Sequence, residues 1–250
     1  MVADPYSSSF KASTRSALMR HFNQSFPPFY SQFVSSEVQV QNLRLAYTLY
    51  QTRKAVVQIV DERKLTVIYF AYTNQPYMLS DIVGVLTAFN LTIHGLNLYG
   101  QIYSPHLVCM RMIVSRNNQA LPPSTRNNLE RAIHECLAGN FQVHESLSIE
   151  FDLTQPLQQA RVEYYFDQVF HLPAILIDAD NEPGLFYKVA YALWKEDLTV
   201  INVNLIVRRE QTRLIFYLLG PNAMTALPDY LGQKIVQSLR QRIGGCAPPA

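Results

Sequence analysis

The sequence contains the same pattern twice. Residues 68–107 align without a gap on residues 175–214, with Pro76 matched to Pro183 at an offset of 107 residues. Identical residues at this offset are Ile68/Ile175, Asn74/Asn181, Pro76/Pro183, Leu86/Leu193, Leu91/Leu198, Thr92/Thr199, Asn97/Asn204, Leu98/Leu205 and Leu107/Leu214. A period of this length is too long for a solenoid repeat and fits two small domains. The duplication therefore constrains the architecture before any single motif does.

Composition places the chain among globular proteins. Its 250 residues are 48% hydrophobic and 16% charged, which is enough apolar material for two cores of roughly 100 residues each. The net charge is +2 without a dense run of Lys or Arg, whereas nucleic-acid binding needs clustered cations. The longest apolar runs are about 5–8 residues, short of the ~20 that span a bilayer. We therefore expect neither nucleic acid nor membrane as a partner.

Cysteine usage and the N-terminus bear on the compartment. Cys109, Cys136 and Cys246 have no metal-ligand spacing and are odd in number, which favours reduced thiols in a cytosolic compartment. The N-terminal segment lacks the apolar core of a secretory signal, although its serines and scarce acids leave an organelle transit peptide open. We expect a cytoplasmic protein, with an organelle stroma as the alternative, and neither a metal nor a cofactor.

Hydrophobic periodicity predicts the same elements in both copies. In the first copy the pattern predicts a buried strand at 65–72, a helix at 76–89, strands at 91–102 and 106–114, and a helix at 121–137. In the second it predicts a strand at 173–180, a helix at 183–195, strands at 198–208 and 213–219, and a helix at 227–243. A short strand precedes each copy, at 55–60 and 161–166. Only the first copy is followed by a further strand-like run, at 144–152, so we expect the leading strand of the second copy to take the sheet edge.

This order predicts an α+β protein made of two ferredoxin-like sandwiches in tandem. We place an N-terminal extension at 1–54, partly disordered and then helical over 11–25 and from 35 or 36 to about 52, followed by domains at 55–152 and 153–250. Two helices cover one face of each sheet. The other face carries Tyr69, Tyr99, Tyr103, Ile206 and Phe216, which make it too apolar for water. The N-terminal helices are either a docking arm or a cover for that face, and we expect a homodimer to bury the rest.

The turn that follows the buried strand of the second copy carries the most chemistry. It consists of Asn181, Glu182, Pro183, Gly184 and Leu185. The first N–H groups of the following helix lack internal partners and carry the positive end of the helix dipole. Gly184 has no side chain, so an anion or carboxylate can approach this backbone closely. The simpler alternative is a plain helix start at proline.

The first copy has nearly the same turn, with one substitution. It consists of Asn74, Gln75, Pro76, Tyr77 and Met78. Tyr77 stands where the second copy has glycine, and we expect its phenol ring to obstruct a small ligand. We therefore expect the first copy to be a structural or dimerising unit.

These residues resemble a known family. The turn at 181–185, the helix after it and the strand at 198–205 resemble the ACT domain, a regulatory module that binds amino acids. Over residues 26–243 the chain resembles tandem ACT-repeat proteins, including the C-terminal region of the bacterial PII uridylyltransferase/uridylyl-removing enzymes. The stretches at 26–30, 91–94 and 162–167 carry that resemblance. The nucleotidyltransferase and His-Asp phosphohydrolase motifs of those enzymes do not occur in the sequence.

The resemblance implies an amino-acid effector bound where the strand–helix turn of one unit faces the second strand of another. It implies a site made of Asn181, Glu182, Pro183, Gly184 and Leu185, with Thr199, Ile201 and Asn202 across the interface. It implies a weaker equivalent at Asn74, Gln75, Pro76, Tyr77, Met78, Thr92 and His94. Thr199 and Thr92 stand where several relatives have Asn, which argues against serine- or valine-type recognition.

Three functions follow as hypotheses. The leading one is a non-catalytic sensor that binds an amino acid such as glutamine and transmits the binding signal to an oligomer or a protein partner. Nitrogen metabolism is the candidate pathway. The alternative is a ligand-independent interaction module whose pockets have decayed. An enzyme is the third: Asp178 and Asp180 lie two apart on one strand face, as metal ligands can. The matching positions Ala71 and Thr73 carry no carboxylate, and the histidines are scattered, so we expect no catalysis, and we expect Asp180 to cap the turn.

Overall fold

The computed structural model describes residues 12–75, 77–101, 107–140, 143, 147, 160–182, 184–196, 198–208, 211–219 and 228–243. An eight-stranded antiparallel sheet organises this part of the chain. Its strands are β1 (Val56–Glu62), β2 (Leu65–Thr73), β3 (Thr92–Gly100), β4 (Leu107–Ser115), β5 (Arg161–Asp167), β6 (Leu172–Asp180), β7 (Thr199–Arg208) and β8 (Gln211–Leu219). The α+β prediction is confirmed.

The strand order reflects the duplication. Across the sheet it is β1-β2-β4-β3-β7-β8-β6-β5, so the second half has the order of the first half in reverse. The two halves meet where β3 pairs with β7, a boundary that we call the seam. The copies thus share one continuous sheet, while the domain limits drawn from the sequence stay a prediction.

The leading strand holds the outer edge of each half. β5 pairs with β6 alone, as expected, and β1 likewise pairs with β2 alone. Of the strand-like run at 144–152 only Leu147 is described, and it is helical and buried. The rest of that run lies outside the described residues. Both halves therefore complete their four strands with a strand that comes before the repeat.

The two halves also share an irregularity in the backbone. β3 shifts register between Ile93 and Gly95, and β7 shifts between Val200 and Asn202. The extra residues, His94 and Ile201, are matched at the offset of 107. A β-bulge bends and twists its strand, so the repeat extends from sequence to strand geometry.

Besides the helical residues Val143 and Leu147, the described residues form seven helices. They are α1 (Ala12–Gln24), α2 (Pro28–Phe33), α3 (Ser36–Thr52), α4 (Met78–Ala88), α5 (Pro123–Leu137), α6 (Leu185–Lys195) and α7 (Asp229–Ile243). The short α2 was not predicted. The pair Pro27-Pro28 ends the preceding helix as expected, but Pro28 then begins a new one, because proline's missing N–H costs nothing in a first turn. Among these helices none is both long and apolar enough to cross a membrane.

One face of the sheet carries the main core. Helices α4 and α5 cover the first half and α6 and α7 the second, and α4 packs against α6. These two helices approach each other closely, since a Cβ added to Gly84 of α4 would lie 3.0 Å from Cε2 of Tyr187 of α6. Phe216 points into this core, with its ring 6.0 Å from that of Phe186. The expectation that Phe216 lies on the bare face was wrong, because the alternating positions 214, 216 and 218 of β8 all face the helices.

The N-terminal helices cover much of the opposite face. Tyr30 is fully buried, with its ring 4.4 Å from that of Phe26 and 5.1 Å from that of Tyr99. Phe29 continues this layer onto the second half, where its ring lies 6.2 Å from that of Tyr217. Of the two roles left open for these helices, the cover is the one observed.

The uncovered part of that face is more polar than predicted. Arg213 donates to both carboxylate oxygens of Asp178, at 2.7 and 2.9 Å, and Arg161 pairs with Glu163 at 2.6 Å. Ile206 is 41% exposed beside them, and Tyr103 lies outside the described residues. Charged pairs make this area compatible with water, so the apolar-face argument for a dimer applies to a smaller surface than expected.

Candidate functional site

The turn after β6 has the tight geometry that its glycine suggests. Gly184 has φ of +77°, the left-handed region that other residues avoid. The backbone N–H of Glu182 donates to the Asp180 carbonyl at 2.8 Å, and that of Leu185 donates to the Glu182 carbonyl at 3.1 Å. The chain therefore reverses within a few residues and enters α6 with the peptide of Gly184 at its start.

This turn lines a crevice between the two halves, which we call the Gly184 crevice. Its volume is about 140 Å³. The second half contributes Asn181, Glu182, Gly184, Leu185, Phe186, Leu205, Val207 and Thr212, and the first half contributes Val83, Thr87, Asn90, Leu91, Thr92 and Ile93. The predicted kind of site, a turn of one unit against the second strand of another, thus has a counterpart here. The strand that faces the turn starts at Thr92, however, and not at Thr199.

The polar groups of the Gly184 crevice are few and mostly neutral. Thr212 Oγ1 donates to Asn181 Oδ1 at 3.1 Å, and Thr87 Oγ1 donates to the Val83 carbonyl at 2.9 Å. Glu182 is half-buried and is the only ionisable side chain among the described residues that line the crevice. A bound carboxylate would therefore depend on the first N–H groups of α6, and a bound ammonium on Glu182.

A second, smaller crevice occupies the equivalent place around the turn of the first half. We call it the Trp194 crevice. It is lined by Tyr72, Asn74, Gln75, Leu79, Leu98, Ala190, Trp194, Leu198, Thr199 and Val200. Its volume is about 10 Å³, room for roughly one water molecule. All of these residues except Tyr72 match residues of the Gly184 crevice at the offset of 107.

The side chain expected to obstruct the first copy is not the one that fills it. Tyr77 is 37% exposed, its hydroxyl bonds to Gln75 Oε1, and it does not line the Trp194 crevice. Trp194 lines it instead, at the position where the Gly184 crevice has Thr87. A comparison of the C-terminal ends of α4 and α6 would have revealed this difference, because the aligned sequences already pair Thr87 with Trp194 there.

Other predicted site residues lie away from both crevices. Ile201 is fully buried against the N-terminal layer, and Asn202 donates from Nδ2 to the Leu98 carbonyl at 2.7 Å. His94 Nε2 shares a 2.7 Å hydrogen bond with Ser115 Oγ, and Met78 belongs to the main core. The two prolines, Pro76 and Pro183, lie outside the described residues. Sequence reasoning missed Thr87, Asn90 and Thr212, which come from parts of the repeat outside the turn.

Asp178, Cys109 and Cys136 are paired or buried. Asp178, considered above as a metal ligand, is engaged by Arg213, and no group of three or more His, Cys, Asp or Glu within the described ranges could hold a metal ion. Burial, with a smaller contribution from Asp81, raises the pKa of the Cys136 thiol to about 12. Burial also raises the pKa of the Cys109 thiol far above its ordinary value. These thiols stay protonated at neutral pH and are poor nucleophiles.

Two wider grooves lie beside the N-terminal helices, with volumes of about 770 and 820 Å³. The first runs along α1 past Arg20 and Asn23, and the second lies between α3 and the sheet, past Arg44 and Arg111. The N-terminal helices have no counterpart in the repeat, so the duplication does not point to either groove.

Comparisons with known proteins add little. No protein-family model matches the chain, and no curated protein matches it. Among solved structures, it is similar to one described as an unknown protein from Galdieria sulphuraria, at 13% sequence identity over 72% of this chain and 91% of that chain, with a TM-score of 0.25. A TM-score of that size does not establish a shared fold.

Proposed function

We propose that the protein is a non-catalytic regulatory protein made of two ACT-type, ferredoxin-like units, and that it binds a small amino acid in the Gly184 crevice. The observation that carries the proposal is this crevice, in which a glycine turn of one half faces the strand entry of the other. Such a position lets one ligand touch both halves at once.

The strand order supports the ferredoxin-like part of the proposal. In the split βαβ arrangement two helices cover one face of a four-stranded antiparallel sheet. Each half here has four strands with helices on the core side, in the orders β1-β2-β4-β3 and β5-β6-β8-β7. The leading strand takes the edge that a trailing strand would otherwise hold.

The lining of the Gly184 crevice favours a free amino acid. A volume of about 140 Å³ is below the ~300 Å³ at which sites for drug-sized ligands begin, so a nucleotide or peptide does not fit. Glu182 suits an α-ammonium group, and the N-terminus of α6 suits an α-carboxylate. Hydroxyl and amide groups of Thr87, Asn90 and Thr212 suit a short polar side chain.

Regulation follows from the shared position of the site. A ligand shifts an equilibrium only through its different affinity for two states. Because the crevice is formed by both halves, any change in their spacing changes its contacts with the ligand. The readout is then an oligomer or a protein partner, and nitrogen metabolism in the cytoplasm stays our hypothesis for the pathway.

Isothermal titration of the full chain with each of the twenty L-amino acids tests the proposal. We expect one ligand per chain, and an affinity at least ten-fold weaker in Glu182→Gln, because a charge-assisted hydrogen bond is lost. Glu37→Gln is the control, since it removes the same charge from an exposed site on α3. Absence of heat with every amino acid, or an equal loss of affinity in Glu182→Gln and Glu37→Gln, would overturn the proposal.

The alternative, a ligand-independent interaction module, has one observation in its favour. Phe33 is 69% exposed and Val169 is 77% exposed, and the Phe33 ring lies 5.9 Å from that of Phe170. Light scattering of the full chain with and without the amino-acid mixture separates the two functions. A dimer or complex that does not respond to any amino acid favours the module, and a response favours the sensor.

A further inference from the structure

We propose that Trp194 closes a second binding site, so that the duplicated chain keeps one working site of the two that its fold provides. This inference rests on the proposed function and adds to it the residue that limits the number of ligands per chain. It concerns the Trp194 crevice, which is too small for an amino acid in its present form.

The two crevices are built from equivalent parts. At the offset of 107, the pairs Asn181/Asn74, Thr92/Thr199 and Ile93/Val200 line the Gly184 and Trp194 crevices respectively. The apolar pairs Leu91/Leu198, Leu205/Leu98, Val83/Ala190 and Phe186/Leu79 follow the same rule. The two sites are therefore lined by equivalent residues of the two repeats. Their difference in volume must come from the positions at which the side chains differ.

The substituted side chain is much larger in the Trp194 crevice than in the Gly184 crevice. Thr87 stands in the Gly184 crevice, where a Cβ added to Gly184 would lie 3.6 Å from Thr87 Cγ2, an ordinary contact. The equivalent position in the Trp194 crevice holds an indole ring. Two of the other lining pairs, Val83/Ala190 and Phe186/Leu79, change in the opposite direction and would enlarge the Trp194 crevice, and so do not explain its small volume. Tyr72, whose smaller equivalent Ala179 does not line the Gly184 crevice, also adds bulk to the Trp194 crevice from the packed core, so Trp194 is one of two larger side chains there.

Two contacts hold the indole ring in its position. The Trp194 ring lies 5.2 Å from that of Tyr191 in an edge-on contact, and Lys195 Nζ lies 4.2 Å from its centroid. An aromatic contact and a cation–π contact each stabilise the ring where it is. Moving the ring out of the crevice would lose both contacts, so they favour the position in which the ring fills it.

The charge of the turn points the same way. The Gly184 crevice has Glu182, whereas the Trp194 crevice has the neutral Gln75 at the matching place. A site that is closed has no need of the carboxylate that would hold an ammonium group. Both differences thus favour binding at the Gly184 crevice alone.

Reciprocal variants of the full chain test this inference, with the twenty L-amino acids as probes in isothermal titration. Trp194→Thr is expected to raise the stoichiometry from one to two ligands per chain, and Trp194→Thr with Gln75→Glu is expected to bind the second ligand at least ten-fold more tightly than Trp194→Thr. Thr87→Trp is expected to abolish binding. Circular dichroism confirms that each variant is folded.

The outcomes separate the two proposals. If the native chain binds no amino acid, the proposed function fails, and this inference fails with it. If the native chain binds one ligand and folded Trp194→Thr still binds one, the inference alone fails. Should Trp194→Thr not fold, Thr87→Trp decides: retained binding of one ligand overturns the inference, and lost binding in a folded variant supports it.

Discussion

The side-chain amide of Asn202 donates a 2.7 Å hydrogen bond to the main-chain carbonyl of Leu98 across the seam between the two halves. Asn202 is 2% exposed, and its backbone lies opposite Tyr99. Asn202→Ala leaves a buried carbonyl without this donor, so we expect the free energy of unfolding to fall by about 1–3 kcal/mol. Urea unfolding measures this change. Asn128→Ala, on the exposed side of α5, is the control, and a loss no larger than the control's would contradict the seam's dependence on this bond.

The N-terminal cover is expected to contribute strongly to stability through Tyr30. Its ring is fully buried, and its hydroxyl accepts from Asn42 Nδ2 at 2.9 Å. Tyr30→Ala is expected to cost about 3–5 kcal/mol, in the range found for large aromatic side chains, and Tyr30→Phe about 1 kcal/mol. Thermal and urea unfolding test both values. Phe33→Ala, in the same helix but exposed, should change stability by less than about 0.5 kcal/mol; similar losses at the two positions would mean that α2 is not a structural cover.

Two glycines with the same backbone conformation distinguish strain from ligand contact. Gly184 and Gly139 both have φ of +77°, and a Cβ on either would meet at most ordinary contacts. We expect Gly184→Ala and Gly139→Ala each to cost about 1–2 kcal/mol of stability, because a Cβ is strained in this region. Only Gly184→Ala should also weaken amino-acid binding, since only Gly184 lines the crevice. Titration of both variants checks this, and equal effects on binding would count against the crevice as the site.

The carboxyl of Asp81 predicts a pH dependence of stability. Burial raises its pKa from 3.8 to about 6, and the groups of Cys136 on α5 and Tyr187 on α6 lie near it. The folded protein holds this proton more tightly than the unfolded chain does. The contribution of the protonated Asp81 carboxyl to the free energy of unfolding is therefore complete below about pH 4 and is lost as the pH rises through 6.

Asp81→Asn removes this dependence. After allowance for the partial exposure of the group, we expect it to stabilise the protein by about 1 kcal/mol at pH 8 and to have little effect or a small cost at pH 4. Urea unfolding at the two pH values measures the difference. Glu135→Gln, on the exposed side of α5, serves as the control. If it stabilised the protein at pH 8 as much as Asp81→Asn does, net charge, and not the burial of Asp81, would be responsible.

Much of the fold could be predicted because local signals and the repeat agreed. The strands at 65–72 and 173–180 are continuous apolar runs, and the helices that follow them have apolar residues at helical spacing, so neighbouring residues sufficed. The edge position of β5 was predicted, and β1 holds the same edge in the first half. The helix α2 was missed because two prolines signal a break more strongly than a start, and its Phe29 packs against sheet residues that are distant in sequence.

The candidate site was harder to predict because it joins distant parts of the chain. The turn at 181–185 was visible as a motif, but its facing strand was assigned to Thr199 when it begins at Thr92. The pairing of β3 with β7 across the seam determines which strand faces the turn at 181–185. No local sequence pattern encodes that pairing. Thr87 and Trp194 were overlooked for a related reason, since the end of an amphipathic helix carries no functional motif of its own.

The seam has one further consequence. Asn97 and Asn204 are equivalent residues of the two repeats, and they are paired with each other in the ladder between β3 and β7. An axis of approximate two-fold symmetry therefore passes between them, as in an isologous homodimer. Here the two protomers of such a dimer are covalently joined, so their association is intramolecular. Dilution, which dissociates an ordinary dimer, leaves this interface and the crevices beside it intact.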